Sequence, residues 1–432
     1  MVKTFYWVSI LVLVAMLVSL GAAASPALAQ GEKPFEGKTI RLLFNADPYA
    51  FATQKILADL EAASGATIQL DVQPYDAQHQ KILLNSQSNE SAYDIVAVDI
   101  VWTGEFGAGN VLLPLDDYIA ASDFPVADFP EAAWKGAQYE GKQVGIPFQP
   151  HPEVLWYRKD LFEEKGIKPP ETTDELLAAA KAFHDPDNGF YGIGWNGARG
   201  QALGQQMAHF YAAFGQHPFD DTWMPTLDTP DAVRAAEYAM ALMEFSPPDI
   251  LNMAWDERAR LYAQGKTPMI YEWAARTFMI EDPEILKNTG FIPSPHAPDK
   301  PAVNPTGEWC IAIPSNVQDK DLAWQFIEWL TDCNQLKALA LAGNGGMPRY
   351  CIIRDPELMA LYPAFEAVDK MSSEGIMQMW MRPQIPEWPV LADTYGTVFH
   401  EMLAGSLTPE QATAKMQETM VTVMTDAGYF DE

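Results

Sequence analysis

The stretch KTIRLLFNADPYAFATQKILADLEAASGATIQLDVQ, Lys38 to Gln73, decides the fold. Thr39 to Phe44 is apolar and β-branched, which predicts a strand. Asp47-Pro48 has the composition of a helix start, with Asp as cap and Pro tolerated in the first turn. Ile56, Leu57 and Leu60 then fall on one helical face, and Gly65 ends the helix. From Thr67 to Gln73 the chain alternates, with Ile68, Leu70 and Val72 on one side. This is a strand–helix–strand unit. Asp76 to Ser88 continues as a helix. Asp94 to Asp99, apolar on both faces in its middle, reads as a buried parallel strand. Repeated units of this kind imply an α/β fold, an open sheet covered by helices.

Farther along, Gly145-Ile146-Pro147-Phe148 opens a second region, and EVLWYRKDLF (153–162) passes from strand into helix. Helices are expected over Thr173–Phe183, capped near Thr172, and over Asp231–Phe245, whose Val233, Ala236, Met240 and Met243 form a core stripe. A short strand is expected over Pro268–Ile270. From about Pro301 the pattern changes again. Trp309–Pro314 reads as a strand, and Asp321–Leu330 and Pro409–Met424 read as helices.

At 432 residues the chain is too long for one ordinary core and suits two lobes, or one large domain. A formal net charge of -30 disfavours nucleic acid and anionic lipid as partners, since both call for clustered Lys and Arg. Residues 1–29 carry the signature of a signal peptide. Lys3 precedes the apolar run Ile10–Leu20, and Ala27-Leu28-Ala29 is a small-x-small cleavage site. The apolar run is short for a membrane span. The mature protein is therefore expected to be exported, periplasmic or beyond, with no membrane anchor. Of the three cysteines, none forms a CxxC pair. Cys333 and Cys351 are available to pair in an oxidising compartment, and at least one thiol stays free or pairs elsewhere.

No GxSxG, HExxH, P-loop or GxGxxG is present, and the His residues are scattered. No metal, cofactor or catalytic residue is expected. Recognition of a carbohydrate needs flat aromatic faces for C–H surfaces and carboxylates, amides or Arg for hydroxyls. Several stretches near strand ends supply both: Asn45-Ala46-Asp47, Asp99 to Trp102, Trp195-Asn196, Tyr271-Glu272-Trp273, Gly307-Glu308-Trp309, and Gly346 to Arg349. In open α/β sheets a ligand sits outside the carboxyl ends of strands. Helix capping remains open as the role of Asp47 and Asp99, and core packing as the role of Trp102.

YDIVAVDIVWTGEF (93–106), LLPLDDYI (112–119), GIPFQPHPEVLWYRKDLFEEKGIKPPETTDELLAAAKAF (145–183), GEWCIAIP (307–314), DLAWQFIEWL (321–330), GGMPRY (345–350) and RPQIPEWPVLADTYGTVFHEMLAGSLTPEQA (382–412) follow one another in an order that resembles the family 1 extracellular solute-binding proteins, the maltose-binding-protein-like receptors of ABC importers. RPQIPEW is most similar to sugar- and polyol-binding members. The resemblance implies two α/β lobes joined by a three-crossing hinge, the type II periplasmic-binding-protein architecture. Lobe 1 would hold 38–147 and 306–347, and lobe 2 would hold 151–301 and 352–432. The crossings would fall near 147–151, 301–306 and 347–351. It also implies ligand-facing positions: Asp99 and Trp102 after the buried strand, Gln149 at the first hinge, Trp273, and Gly307 with Trp309. The family often has two adjacent glycines where this chain has Gly307-Glu308, which marks Glu308 as a candidate contact to ligand hydroxyls. Arg349 and Arg382 are weaker candidates, for which surface pairing is an equal alternative. The function so implied is a monomeric receptor that binds a sugar or polyol and hands it to permease subunits. A receptor for an anionic sugar, a phosphodiester or another solute, and a secreted carbohydrate-active enzyme, are the competing readings.

Overall fold

The computed structural model describes residues 33–430; the signal peptide read over 1–29 lies outside them. Eight strands build one curled, mixed sheet: β1 (Thr39–Asn45), β2 (Thr67–Gln73), β3 (Ile95–Asp99), β4 (Ile146–Arg158), β5 (Met269–Trp273), β6 (Thr289–Pro293), β7 (Asn304–Ala312) and β8 (Met377–Gln378). The order is β2-β1-β3-β7-β4-β5, with β6 on β4 and β8 on β7. β1 pairs in parallel with β2 and β3, as the strand–helix–strand reading requires. β3 is parallel on one side only, because β7 runs antiparallel along its other edge.

Two strands, β4 and β7, run through both halves of the molecule. They pair antiparallel from Ile146 opposite Ile311 to Pro152 opposite Thr306, with the register shifting between Pro147 and Gln149. Beyond that point β4 leaves β7 and takes β5 on one edge and β6 on the other. The first half is therefore β2-β1-β3 with the C-terminal part of β7, and the second is β5 and β6 around the C-terminal part of β4. β7 starts at Asn304, five residues before the strand expected from Trp309. Asn304, Thr306 and Glu308 are polar but buried, Asn304 beside β8 and the other two on the β4 pairing, which composition alone disguises. Likewise β5 extends to Trp273, so Tyr271 and Glu272 lie inside a strand.

The helices follow the apolar spacing closely. Thr173–Phe183 starts with a capping box between Thr172 and Glu175, and Tyr75–Ser86, Pro230–Met243, Lys320–Leu330 and Pro409–Asp426 stand where periodicity placed them. The helix read from Pro48 to Gly65 is broken at Ile56 into Pro48–Lys55 and Leu57–Ser64. Ile56 is buried and leaves helical geometry there, with φ -112° and ψ 22°.

A third segment, Gly345–Met347, lies against β4 near Gln149 and Pro150. A Cβ on Gly346 would stand 2.6 Å from Cγ of Gln149, so only glycine permits this approach. The chain then passes through β8 and crosses back toward the first half. Ile385 covers Gly104, Met379 covers Gly136, and the Gln384 amide donates to the carbonyls of Lys135 (3.3 Å) and Gly136. Among the described residues no helix is long and apolar enough to cross a membrane.

Cys333 and Cys351 form a disulfide with a Cα–Cα distance of 6.3 Å, and Cys310 is free and buried. The bridge joins the first turn of helix Cys333–Ala342 to helix Tyr350–Ile353, closing the loop that contains Gly345–Met347. A loop of this length restricts the unfolded chain by about 3 kcal/mol. Replacing both cysteines with Ser should lower the urea midpoint by a corresponding amount; an unchanged midpoint would contradict that.

Candidate functional site

The parallel strands β1, β2 and β3 end on one edge, and the residues that follow them face the strands β4 and β5 across a gap. The result is a cavity of about 550 Å³, within the range of small-molecule sites. One wall carries Asn45, Asp47, Tyr75 and Asp99, with Glu308 and Trp309 from β7. The other carries His151, Gln205, Trp255, Trp273 and Arg276, and Arg382 enters from the C-terminal segment. Phe51 and Phe278, both exposed, stand on the two walls. Helix Pro48–Lys55 touches the Ala274–Met279 turn, so the walls meet there.

Asp47 occupies the cap position of the first helix, but its side chain makes no capping hydrogen bond. Its carboxylate stands instead on the cavity wall, 3.6 Å from Nε2 of His151. Burial pushes Asp47 up to about 7, against the pull of Arg276. Asp99 does cap the turn that follows it, accepting from the Val101 N–H at 3.4 Å, and its other oxygen accepts from the Tyr75 hydroxyl at 3.0 Å. Burial raises its carboxyl above the usual range, with Arg382 and Tyr75 opposing.

A chain of hydrogen bonds settles the state of His151. The Tyr49 N–H donates to Oε1 of Gln149 at 3.0 Å, which leaves the Gln149 amide nitrogen to donate to Nε2 of His151 at 2.7 Å. The imidazole proton is then on Nδ1, which has no partner in the protein. Burial, aided by Arg276 and Arg382, lowers His151 to about 3, so the ring is neutral. Glu308 accepts two backbone N–H groups, from Phe148 and Gln149, on Oε1 at 3.1 Å each; its Oε2 has no partner. Burial raises the Glu308 carboxyl well above its ordinary value. Asn45 Oδ1, Arg276 Nε and Arg382 Nε are also buried without partners. The cavity lining thus carries five unused polar atoms, an uncommon concentration for a protein interior.

A fully buried ionic network stands behind the second wall. Arg258 bonds Glu153 at 2.8 Å and both oxygens of Glu272 at 3.0 and 3.2 Å. His209 and Gln206 hold the second oxygen of Glu153, at 2.5 and 3.3 Å. Burial alone would raise Glu153, but His209 and Arg258 draw it down to about 2. Glu272 stays above its usual value because burial there outweighs its share of Arg258. The network positions cavity groups. Gln205 donates to Glu153 at 3.2 Å and accepts from the Trp255 indole at 2.6 Å, and Glu272 accepts from the Trp273 N–H at 2.8 Å.

Of the residues singled out by sequence, Asn45, Asp47, Asp99, Trp273, Gly307, Glu308 and Trp309 line this cavity. Five others lie outside its lining. Trp102 packs behind Trp309 with ring centroids 5.4 Å apart. Gln149 is buried and supports His151. Trp195 is buried in the second half, its indole donating to Ser246 at 2.8 Å. Asn196 is buried beside it, its N–H donating to Gln206. Arg349 is tied to Asp128 at 2.8 Å and to the Thr331 carbonyl at 2.9 Å. Arg382, in contrast, makes no surface pair and reaches the cavity. Sequence reasoning passed over Tyr75, His151, Gln205 and Trp255. Tyr75 stands two residues past the end of β2, close to the strand-end signal that marked Asn45 and Asp99.

A two-part α/β fold with a ligand-sized cavity between its parts defines a solute receptor. The chain belongs to the bacterial extracellular solute-binding protein family, whose model matches residues 45–332. It is 24% identical over 370 residues to the mannitol-binding protein of Pseudomonas aeruginosa, covering 81% of this chain and 84% of that one. It is 27% identical over 274 residues to the maltotriose-binding protein of Pyrococcus abyssi, covering 60% and 55%. An ABC transporter solute-binding protein from Agrobacterium radiobacter K84, solved with ribitol, superimposes with a TM-score of 0.83 at 28% identity, over 90% of this chain and all (100%) of that one. A counterpart from Agrobacterium vitis S4 with D-mannitol gives 0.78 at 24% identity, over 91% and 100%.

The site makes two predictions. Arg258→Met leaves two buried carboxylates without their cation and should cost about 3–5 kcal/mol in a urea titration. For Asp47, the folded pKa of about 7 lies above the ordinary 3.8. Ionisation therefore burdens the folded state, and the burden grows as pH rises from about 4 to 7. The melting temperature of Asp47→Asn relative to the parent should rise across that window and level off above it. A difference independent of pH would contradict the assignment.

Proposed function

We propose that this protein is the exported capture subunit of an ABC importer, binding a sugar or polyol in the cavity between its two lobes and delivering it to the permease. The observation that carries this reading is the lining. Aromatic faces (Trp255, Trp273, Trp309, Tyr75) and unpartnered polar atoms converge on one cavity from both walls. Such a lining suits a guest with apolar C–H faces and many hydroxyls. The ribitol- and mannitol-binding relatives support the same class of ligand.

Delivery requires that the receptor signal occupancy. A ligand shifts an open–closed equilibrium only through contacts that differ between the two states. Contacts to Asp47 and Asp99 on one wall and to Trp273 and Arg276 on the other meet that condition. The lobes would be 38–147 with 306–347 and 151–301 with 352–432, turning about β4, β7 and the segment near Gly346. The site acts by binding, without turnover, and the receptor works as a monomer in the periplasm or an equivalent exported space.

A thermal-shift screen of sugars, alditols and acidic sugars tests this. A ligand at a hundred times its dissociation constant adds about 2.7 kcal/mol of stability. Trp255→Ala should remove the shift while leaving the unliganded melt close to the parent, since Trp255 is only partly buried. Trp273→Ala should also remove it, but with a loss of stability, because Trp273 packs on His151 and His209. Cleavage of a glycan with no small-molecule shift would overturn the receptor reading.

A further inference from the structure

The Cys333–Cys351 disulfide is only partly buried, so a dithiol in solution has access to it. It holds helix Tyr350–Ile353 against the first turn of helix Cys333–Ala342, and the Gly345–Met347 segment lies in the loop between them. Gly346 is wedged between β4 and the Ala274–Met279 turn. A Cβ there would stand 2.6 Å from Cγ of Gln149, 3.0 Å from Cβ of Ala275 and 3.1 Å from the Pro150 carbonyl oxygen. Ile353, two residues past Cys351, packs into the same place. The space left among Pro150, Ala274, Gly346, Ile353 and Phe365 is about 10 Å³. An interior filled this closely transmits a displacement instead of absorbing it.

The two side chains that Gly346 touches lead to the cavity. Ala275 directly precedes Arg276, which lines it. Gln149 accepts from the Tyr49 N–H at 3.0 Å and donates to Nε2 of His151 at 2.7 Å, and His151 lines the cavity. The placement of the Gln149 amide thus decides which His151 nitrogen carries the proton. The bridge stands at one end of a contact path whose other end is the Nδ1–H of His151.

Reduction moves two electrons and two protons from a dithiol to the bridge. The sulfur–sulfur bond breaks, Cys333 and Cys351 become thiols, and the dithiol closes to its own disulfide. Two thiols cannot stay at bonding distance, so helix Tyr350–Ile353 parts from helix Cys333–Ala342. Arg349 still ties this end to the Thr331 carbonyl at 2.9 Å and to Asp128 at 2.8 Å, so the reduced chain keeps its fold while the third segment loosens.

We propose that the Cys333–Cys351 disulfide is a positioning element of the cavity, acting through Gly346 and Gln149 on His151, and that its reduction by a dithiol switches the receptor from tight to weak ligand binding. The switch rests on the sugar-or-polyol reading above; the effect on His151 does not.

Long-range proton–nitrogen spectra of protein labelled at the imidazole nitrogens, recorded at neutral pH before and after dithiothreitol, test the path. His151 is assigned by its absence in His151→Gln. The oxidised protein should show a neutral ring with its proton on Nδ1, and the reduced protein an average of both tautomers with circular dichroism unchanged. Calorimetry with ribitol and D-mannitol should give at least tenfold weaker binding after reduction. Cys333→Ser/Cys351→Ser should match the reduced parent in both readings and ignore dithiothreitol. Gln149→Leu should bind weakly even when oxidised, and reduction should change its affinity less than twofold. A His151 spectrum that stays the same after a thiol assay has counted both released thiols would overturn the path. Polyol affinity unchanged within twofold would overturn the switch. Loss of the folded circular dichroism on reduction would overturn both, since the bridge would then hold the whole fold. If no sugar or polyol bound either form, the receptor reading would fall and the switch with it, while the His151 spectra would still decide the positioning role.

Discussion

The continuous pairing of β4 with β7 is the constraint on which the rest depends. Because both strands pass from one half to the other, their middle residues belong to neither half and sit where the halves meet. His151, Gly307 and Glu308 are on that stretch. Glu308 is anchored by backbone N–H groups of β4 and Gly307 leaves space for Arg382, so the floor of the cavity is built from the crossing itself. The parallel strands β1, β2 and β3 then end at the same edge, and β5 ends opposite them. A site at this position follows from the topology, as for other open sheets whose ligands gather outside strand ends.

The electrostatics divide into two layers with different purposes. Behind the second wall, every side-chain oxygen of Glu153 and Glu272 has a partner in Arg258, His209, Gln205 or Gln206, with only Nε2 of His209 left over, and this network fixes Trp255 and Trp273 from behind. At the cavity surface the opposite holds: Asn45, His151, Glu308, Arg276 and Arg382 each keep an unused polar atom. Burial without partners is unfavourable and is tolerated where a ligand supplies the missing bonds. The preorganised back layer matters to the front one, because a receptor that must order its own side chains on binding loses affinity to that cost.

Much of the fold was legible in the sequence, and part of the site. Strands whose apolar residues alternate or run together, such as Thr67–Gln73 and Ile95–Asp99, were read correctly, as were helices with a cap and an apolar stripe, such as Thr173–Phe183. The first residues of β7 were not, because Thr306 and Glu308 are polar and their burial comes from pairing with a strand far away in sequence. The site followed the same division. Asn45, Asp47 and Asp99 were marked by their position after strands. Trp195 carried the same composition signal as Trp273, yet one is core and the other cavity wall, a distinction only the tertiary packing makes. Arg349 and Arg382 were equivalent in sequence. What separates them is Asp128, which neutralises the first, and Gly307, which admits the second without neutralising it.

The central claim is that a guest bridging the two walls draws the halves together. Spin labels on Gln54→Cys and Glu281→Cys, both exposed and close to the facing elements Pro48–Lys55 and Ala274–Met279, report the separation of those walls. Pulsed dipolar spectroscopy with and without saturating ligand should give a longer, broader distance distribution in the free protein and a short, narrow one in the bound protein. The same narrow distribution in both states would contradict the account.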